Sequence, residues 1–563
     1  MTELTQSLVH GTPFAEEPGR GALTLAAIIN ELAQRYGDRE AVAEKSSDGE
    51  MIRWSYNMLL EKSREVAKSL LANGLEKGGR VGILMGNSLE WVASAMGIAL
   101  AGGVIVALNT FATRRELDHF IKQSDLSILL MESQIIKQDF LSDLLELCPE
   151  LSQSKSDCLL STTYPFLRSV VIVGETRDIP SLKSWQEFID QGQDIADPFL
   201  DAVIENVVPA DEGVVFFSSG STALPKGIIH SHKAVSIQWW RWQRMLDLDT
   251  DVRSWTPNGF FWSGNFCVLL GVTLVAGGCV ILQRHFDAVS ALKLMEAEKV
   301  SYPFVWPHQM AGLVEAPGFF ETDLSAFKYI DPTWPLAKNP FFVFEGWRYP
   351  GNSFGCSETI TINCSYPVNV AKEEAGDSHG IPLPGNTLKI IDPITGAIKP
   401  IGESGEICIK GPTLMSGYLR IPRDESLDED GFYRTGDGGY VDPQGRLNWQ
   451  GRMNDVIKTG GANVSPVEVD NVLNEFPGIK IAHTVGVPHE TLGEEVVACV
   501  VALEGHEIEA ESLKLFLRER LASYKRPRHI LRFLHDELSF TANAKVRIDA
   551  LREKAIQKLQ NPR

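Results

Sequence analysis

The sequence predicts an α/β protein. A large N-terminal domain holds two stacked α/β subdomains and a small β-barrel-like subdomain, and a small α+β C-terminal domain follows. Three observations lead there. At 563 residues the chain is too long for a single hydrophobic core. A buried helix, a Gly-Gly pair and a β-branched strand occur in succession twice, at Met96–Asn109 and Leu270–Gln283. Beyond residue 380 the texture changes to short strands separated by Gly- and Pro-rich turns.

The elements follow in order. Trp54–Asn73 carries apolar residues at helical spacing, Gly79–Met85 reads as a strand and Leu89–Leu100 as a helix. Phe266–Leu282 is nearly all apolar over 17 residues, just short of a membrane span. Gly277-Gly278 should stop a buried helix there and release the strand Cys279–Leu282. Helices are expected at Phe286–Glu298 and Val305–Ala316. The segments LKIIDPITG, GEICIKG, GFYRTGD and GGYVDPQGRLNWQG are hairpin language. Gly451–Val456 has no periodicity of its own, which places the domain boundary between residues 453 and 454. After it come a helix in VEVDNVLNEF, strands in KIAHTVGVP and VVACVVAL, and a helix in ESLKLFLRERL.

Composition excludes several classes. With 44% apolar and 22% charged residues the chain is an ordinary globular protein. A net charge of −20 repels phosphate backbones and argues against a nucleic-acid or anionic-membrane binder. Residues 514–563 oppose the trend, with 13 basic against 5 acidic side chains, and so offer a local anion site. The eight cysteines form no CxxC pair or His/Cys cluster, so neither a zinc site nor a disulfide framework is signalled. A reduced, cytoplasmic setting is expected, with no signal peptide, lipidation motif or transmembrane segment. The oligomeric state is left open, a dimer being compatible.

The strongest local signal is Val214–Gly227, VVFFSSGSTALPKG. An apolar strand runs into small hydroxylated residues and Gly, closed by Pro-Lys-Gly. Small residues let backbone N–H groups approach an anion, hydroxyls donate to phosphate oxygens, and Lys226 adds charge. The loop does not fit the Walker A spacing, which disfavours a P-loop NTPase. It is accompanied by Phe354–Glu358 (FGCSE), Tyr433–Asp437 (YRTGD), Gly451–Asp470 (GRMNDVIKTGGANVSPVEVD), Leu521–Pro527 (LASYKRP) and Leu538–Arg547 (LSFTANAKVR). In this order and spacing the set resembles the adenylate-forming superfamily: acyl-CoA synthetases, peptide-synthetase adenylation domains and luciferases.

The resemblance implies an ATP- and Mg²⁺-dependent acid:CoA ligase that makes an acyl-AMP, then an acyl-CoA, releasing pyrophosphate and AMP. A carboxylate is a poor electrophile, and the mixed anhydride with AMP divides one difficult step into two easier ones. By resemblance, Ser218, Ser219, Gly220, Ser221, Thr222 and Lys226 hold the β- and γ-phosphates. Phe354 lies beside adenine, Gly355 belongs to the same ATP-binding set, Ser357 lies near the α-phosphate, and Glu358 binds Mg²⁺. Asp437 accepts the ribose hydroxyls and Arg452 contacts ribose and phosphate. Lys545 bridges carboxylate and α-phosphate during adenylation, so that Lys545, Glu358 and Thr222 form the catalytic set. A mobile C-terminal domain then turns about Asn454, withdrawing Lys545 and bringing Lys458, Gly460 and Gly461 to the pantetheine channel.

The sequence also departs from the family pattern. Ala223 replaces a Gly of the phosphate loop, Asn454 stands where Asp or Lys is usual, and Ala544 replaces the Gly before Lys545. Around the acyl group, Phe261 and Trp262 occupy a gate segment and Trp334 stands in place of Gly. An indole there would shorten the tunnel, which favours a compact or ring-bearing apolar acid. Trp239-Trp240-Arg241-Trp242 is read as core. Two rivals accompany this reading. One is transfer to a carrier-protein thiol in trans. The other is a degenerate relative confined to thiol transfer or ligand binding, against which the retention of Glu358, Asp437, Arg452 and Lys545 argues.

Overall fold

The computed structural model describes residues 5–46, 48–153, 159–175, 177–218, 225–455, 457–459, 462–489, 492–521, 525–540 and 545–560. The chain divides into two compact units, the larger comprising residues 10–386 and 410–433, the smaller residues 1–9, 387–409 and 434–563.

The larger unit contains an eight-stranded and a five-stranded sheet. Each of the two helix–Gly-Gly–strand segments feeds a different one. Helix Leu89–Leu100 leads to strand Val104–Ala107, which lies between Arg80–Leu84 and Glu212–Phe217 in the eight-stranded sheet. The second segment leads to Cys279–Leu282, which pairs in parallel with Arg253–Trp255 and Glu40–Lys45 in the five-stranded sheet. Both strands are wholly buried, which is why they read as unbroken apolar runs. Gly277 takes φ 86° and ends its helix as the sequence predicts. The helix itself differs from expectation, because its middle, Phe266–Gly271, is π-helical. A Cβ on Gly271 would meet the Trp239 ring at 2.1 Å. The missing Cβ at Gly271 lets that indole pass.

The other predicted helices form with shifted starts. Tyr56–Ala72 is capped by Ser55, Ala288–Ala297 by Asp287, and Pro307–Glu315 begins on its proline. Arg284, just beyond Cys279–Leu282, pairs with Glu44 of the same sheet and with Glu132, the last residue of strand Ile128–Glu132 in the eight-stranded sheet. It also reaches Glu90 at the start of helix Leu89–Leu100. One guanidinium thus joins both sheets at their carboxyl ends.

In the smaller unit the Gly- and Pro-rich segment makes an open five-stranded sheet. Its order is Leu8–His10, Thr387–Ile391, Gly405–Lys410, Tyr433–Val441 and Leu447–Arg452. The C-terminal part is α+β as predicted. The long antiparallel pair Ile479–His489 and Gly493–Ala502 buries one face under helices Pro466–Asn474 and Ala510–Arg520. Among the described residues no helix is long and apolar enough to cross a membrane.

Candidate active site

The phosphate-loop candidate is anchored by a hairpin. Strands Glu212–Phe217 and Gly227–Ser231 are antiparallel, with Phe217 opposite Gly227. Just beyond that pair the Ser218 N–H donates to the Lys226 carbonyl (2.9 Å) and the Lys226 N–H to Ser218 Oγ (3.1 Å). The two ends of the loop are thereby clasped. Ser219, Gly220, Ser221, Thr222 and Ala223 lie outside the described residues. Strand Gly417–Tyr418 adds to the hairpin with Tyr418 opposite Ile228, and Lys226 Nζ sits 5.1 Å from the centre of the Tyr418 ring.

The same tyrosine reaches the second motif. Strand Phe354–Cys356 leads into a tight 3₁₀ turn, Ser357–Thr359, and returns as Thr361–Ser365. Phe354 is buried. Gly355 is obligatory, because a Cβ there would fall 1.9 Å from the Thr361 carbonyl oxygen. Tyr418 Oη donates to Glu358 Oε1 (2.7 Å) and lies 3.2 Å from Tyr433 Oη. Burial, then the Glu358 charge, push both phenols far above their ordinary value, so they remain donors. The turn is held from behind. The Glu358 carbonyl accepts from the Met415 N–H (2.7 Å) and the Ser357 carbonyl from His230 Nε2 (2.8 Å). Burial lowers the His230 pKa to about 4, so the ring is neutral with its proton on Nε2.

In the smaller unit Asp437 and Arg452 are opposite residues of the antiparallel pair Tyr433–Val441 and Leu447–Arg452. Asp437 is buried, and its Oδ1 lies 3.3 Å from both Arg452 Nε and Trp449 Nε1. Thr435 fixes both partners. Its Oγ1 accepts from the Asp437 N–H (3.0 Å) and its carbonyl from an Arg452 guanidinium nitrogen (2.7 Å). The result is an oriented carboxylate beside a half-exposed cation, suited to a diol and an adjoining phosphate.

The remaining candidates are dispersed. Asn454 belongs to the turn Met453–Asp455 that follows strand Leu447–Arg452. Lys458 is exposed in strand Ile457–Thr459, its N–H donating to Glu494 Oε2 (3.0 Å), while Gly460 and Gly461 lie outside the described residues. Lys545 is exposed beside the isolated bridge between Phe540 and Val546, and Ala544 lies outside the described residues. Phe261 is buried and Trp262 half-buried, their rings 4.9 Å apart. Trp334 joins a different aromatic group, 6.0 Å from Trp347 and 5.9 Å from Tyr349. Trp239–Trp242 is core, as expected, with Arg241 forming a buried bidentate pair with Glu17 (2.8 and 2.9 Å).

No group of three metal-ligating side chains occurs among the described residues, which excludes a preformed all-protein cage there. A lone carboxylate such as Glu358, with one oxygen steadied by Tyr418, fits Mg²⁺ that brings phosphate oxygens and water as its other ligands.

Residues 29–419 match the AMP-binding enzyme family and residues 468–545 match the AMP-binding enzyme C-terminal domain. The chain belongs to the AMP-binding enzyme family. It is an AMP-forming acid–thiol ligase of the adenylate-forming superfamily, a class that uses ATP, Mg²⁺ and CoA. It is 28% identical to the putative acyl-CoA synthetase YngI of Bacillus subtilis, over 95% of this chain and 97% of that protein. It is also 28% identical to the mitochondrial medium-chain acyl-CoA ligase ACSF2 of Danio rerio, over 99% of this chain and 92% of that one. Among solved structures, the fold matches the anthranilate CoA ligase AuaEII in complex with anthranoyl-AMP. The TM-score is 0.77 at 21% identity, with 98% and 100% of the two chains covered. ATP-bound MatB from Rhodopseudomonas palustris matches with TM-score 0.72 at 24% identity, over 94% and 99%.

Within this AMP-binding enzyme the fold brings Lys226 and Glu358 to one tyrosine, Tyr418, which the sequence reading did not single out. His230 and Met415, which fasten the Ser357–Glu358 turn, were not singled out either. Their only signal was position. Each lies in or beside a short strand next to a motif, a cue that gains meaning only with the strand register.

Proposed function

We propose that this AMP-binding enzyme is an acid:CoA ligase for a compact or ring-bearing apolar carboxylic acid. A carboxylate oxygen attacks the α-phosphorus of ATP and pyrophosphate leaves. The CoA thiolate then attacks the acyl carbon and AMP leaves with the bonding electrons. The observation that carries this reading is the arrangement of Lys226, Tyr418 and Glu358: a cation over the ring, and a carboxylate bonded to the hydroxyl, of one half-buried tyrosine. Two relatives named as an acyl-CoA synthetase and an acyl-CoA ligase, similar over nearly their full length, support the CoA acceptor.

In this reading Ser218, Ser219, Gly220, Ser221, Thr222 and Lys226 take the terminal phosphates, and Ser357 the α-phosphate. Phe354 and Gly355 flank the adenine, Asp437 the ribose hydroxyls, and Arg452 ribose and phosphate. Glu358 would hold Mg²⁺, which when bound would supply neutralising charge for the pyrophosphate leaving group. Lys545 stabilises the pentavalent α-phosphate in the first step only. Residues 454–563 act as a mobile domain hinged at Asn454, and Lys458, Gly460 and Gly461 serve thiol transfer. Trp334, held among Trp347 and Tyr349, limits acid length, and Phe261 and Trp262 contribute to the same selection.

The test is carboxylate-dependent pyrophosphate exchange over a panel of acids, followed by AMP release with CoA and with a holo-carrier protein offered separately. Exchange strongest with short or aromatic acids and turnover with CoA are expected. Absence of exchange with every acid would overturn adenylation, and turnover with the carrier alone would overturn the CoA acceptor.

A further inference from the structure

Helix His232–Met245 delivers one polar side chain to the backbone that follows Glu358. Gln238 is fully buried, and its Nε2 lies 3.3, 3.1 and 3.0 Å from the carbonyl oxygens of Thr359, Ile360 and Ile362. Two N–H bonds are thus shared among three carbonyls, the contacts to Thr359 and Ile360 buried and that to Ile362 partly so. The backbone they hold is unusual. Ile360 has φ 45° and Thr361 φ 89°, two successive β-branched residues in a region that such side chains avoid. Strain of this kind persists only where the surroundings over-determine it.

The local contacts account for part of that over-determination. Thr359 Oγ1 accepts from the Cys356 N–H (3.2 Å) and donates to the Thr361 carbonyl (2.8 Å). Gly355 admits the same carbonyl at a distance that no side chain would allow. Gln238 comes from a distant element and bonds the strained Ile360 directly, with Thr359 and Ile362 on either side of the bend, whereas His230 and Met415 grip the turn before it. Glutamine suits the task. A leucine would leave the carbonyls unpaired, and a glutamate would set an acceptor against three acceptors.

We infer that Gln238 is a positioning residue for adenylation, its amide holding the left-handed bend at Ile360–Thr361 so that Ser357 and Glu358 keep their aim. The inference rests on the reading of Glu358 as the residue that serves the phosphates and Mg²⁺. Gln238 touches no reactant and acts through the turn. If the bend relaxes, the carboxylate shifts, and displacement by about an ångström costs on the order of 10²-fold in rate.

The experiment compares Gln238→Leu, Gln238→Glu, Glu358→Gln and the double variant Gln238→Leu/Glu358→Gln in the full chain. Pyrophosphate exchange reports adenylation, and thioester formation from supplied acyl-AMP reports the second half-reaction, which needs no triphosphate. Gln238→Leu should lower kcat for exchange by roughly 30- to 100-fold, with little change in KM for the acid. Gln238→Glu should be at least as slow, thioester formation should stay within about two-fold, and the double variant should be no slower than Glu358→Gln alone. Should Gln238→Leu be insoluble, Gln238→Met removes the donor at the same length and carries the comparison. Exchange at the wild-type rate in Gln238→Leu, with Glu358→Gln inactive, would overturn the inference while sparing the reading of Glu358. So would an equal fall in both half-reactions, the mark of a general packing loss. Full exchange in Glu358→Gln would overturn that reading and the inference with it.

Discussion

Tyr418 Oη donates to Glu358 Oε1 at 2.7 Å, and the same ring carries Lys226 Nζ 5.1 Å from its centre. Removing that hydroxyl should therefore be felt at the carboxylate. Hydrogen bonds to charged groups contribute about 1.5–3 kcal/mol, so Tyr418→Phe should slow pyrophosphate exchange by about ten-fold or more. Stability at neutral pH should fall by no more than that amount, because the ring and its packing remain. Unchanged exchange would show that Glu358 orients without the phenol.

Lys545 is exposed and stands apart from any strand or helix. Lys545→Ala should abolish acyl-AMP formation and spare thioester synthesis from supplied acyl-AMP. Loss of both activities would contradict a role confined to the first step.

Trp334 sits against Trp347 and Tyr349 at the margin of the larger unit's core. Trp334→Ala should widen the accepted acids toward longer chains, read as a shift in relative kcat/KM across a homologous series. An unchanged profile would remove Trp334 from the determinants of acid length.

Two buried histidines set a pH window for stability. Burial lowers His230 and His232 from about 6.5 to about 4 in the folded protein. His232 Nδ1 accepts from the Leu25 N–H, which also requires the neutral ring. The unfolded chain binds protons first, so this stability is full above pH 6.5 and is lost as pH falls toward 4. The slope is at most about 1.4 kcal/mol per pH unit for each histidine. Urea unfolding at a series of pH values checks it. A flat profile over that interval, or an unaltered slope in His232→Gln, would refute the assignment.

Glu17 and Arg241 form an ion pair with almost no solvent contact, 4% and 1% exposed at the side chains. Breaking the pair from the Arg241 side leaves Glu17 only its longer contact to Arg244 (3.3 Å), so the loss should lie toward the lower end of about 3–5 kcal/mol. Arg241→Met should lower the urea midpoint accordingly, and Glu17→Gln in the same chain should restore much of the loss. Additive losses would mean that the two residues act separately.

Much of the architecture could be read along the chain because its signals are local. The buried strand Cys279–Leu282 and the helix Leu89–Leu100 form with the predicted bounds, fixed by glycine punctuation and by a Ser88 cap. The π-helical stretch at Phe266–Gly271 was not legible, since an unbroken apolar run carries no periodicity that separates a π- from an α-helical turn. The site divides in the same way. Glu358, Lys226, Asp437 and Arg452 stand out as motif residues, and their charges need no partner to be noticed. Tyr418, Gln238 and Glu17 act across 60, 122 and 224 positions, and side chains of those types are commonplace until the register is known.

Arg284 meets Glu44 across 240 positions, and strand Glu40–Lys45 pairs with Cys279–Leu282 beside it. During synthesis the hairpin formed by Glu40–Lys45 and Met51–Ser55 therefore emerges long before its neighbour exists. One strand edge must wait while about two fifths of the polypeptide is made. Early arrest of translation in this region should leave nascent chains prone to self-association, whereas arrest after Arg284 has cleared the ribosome should not.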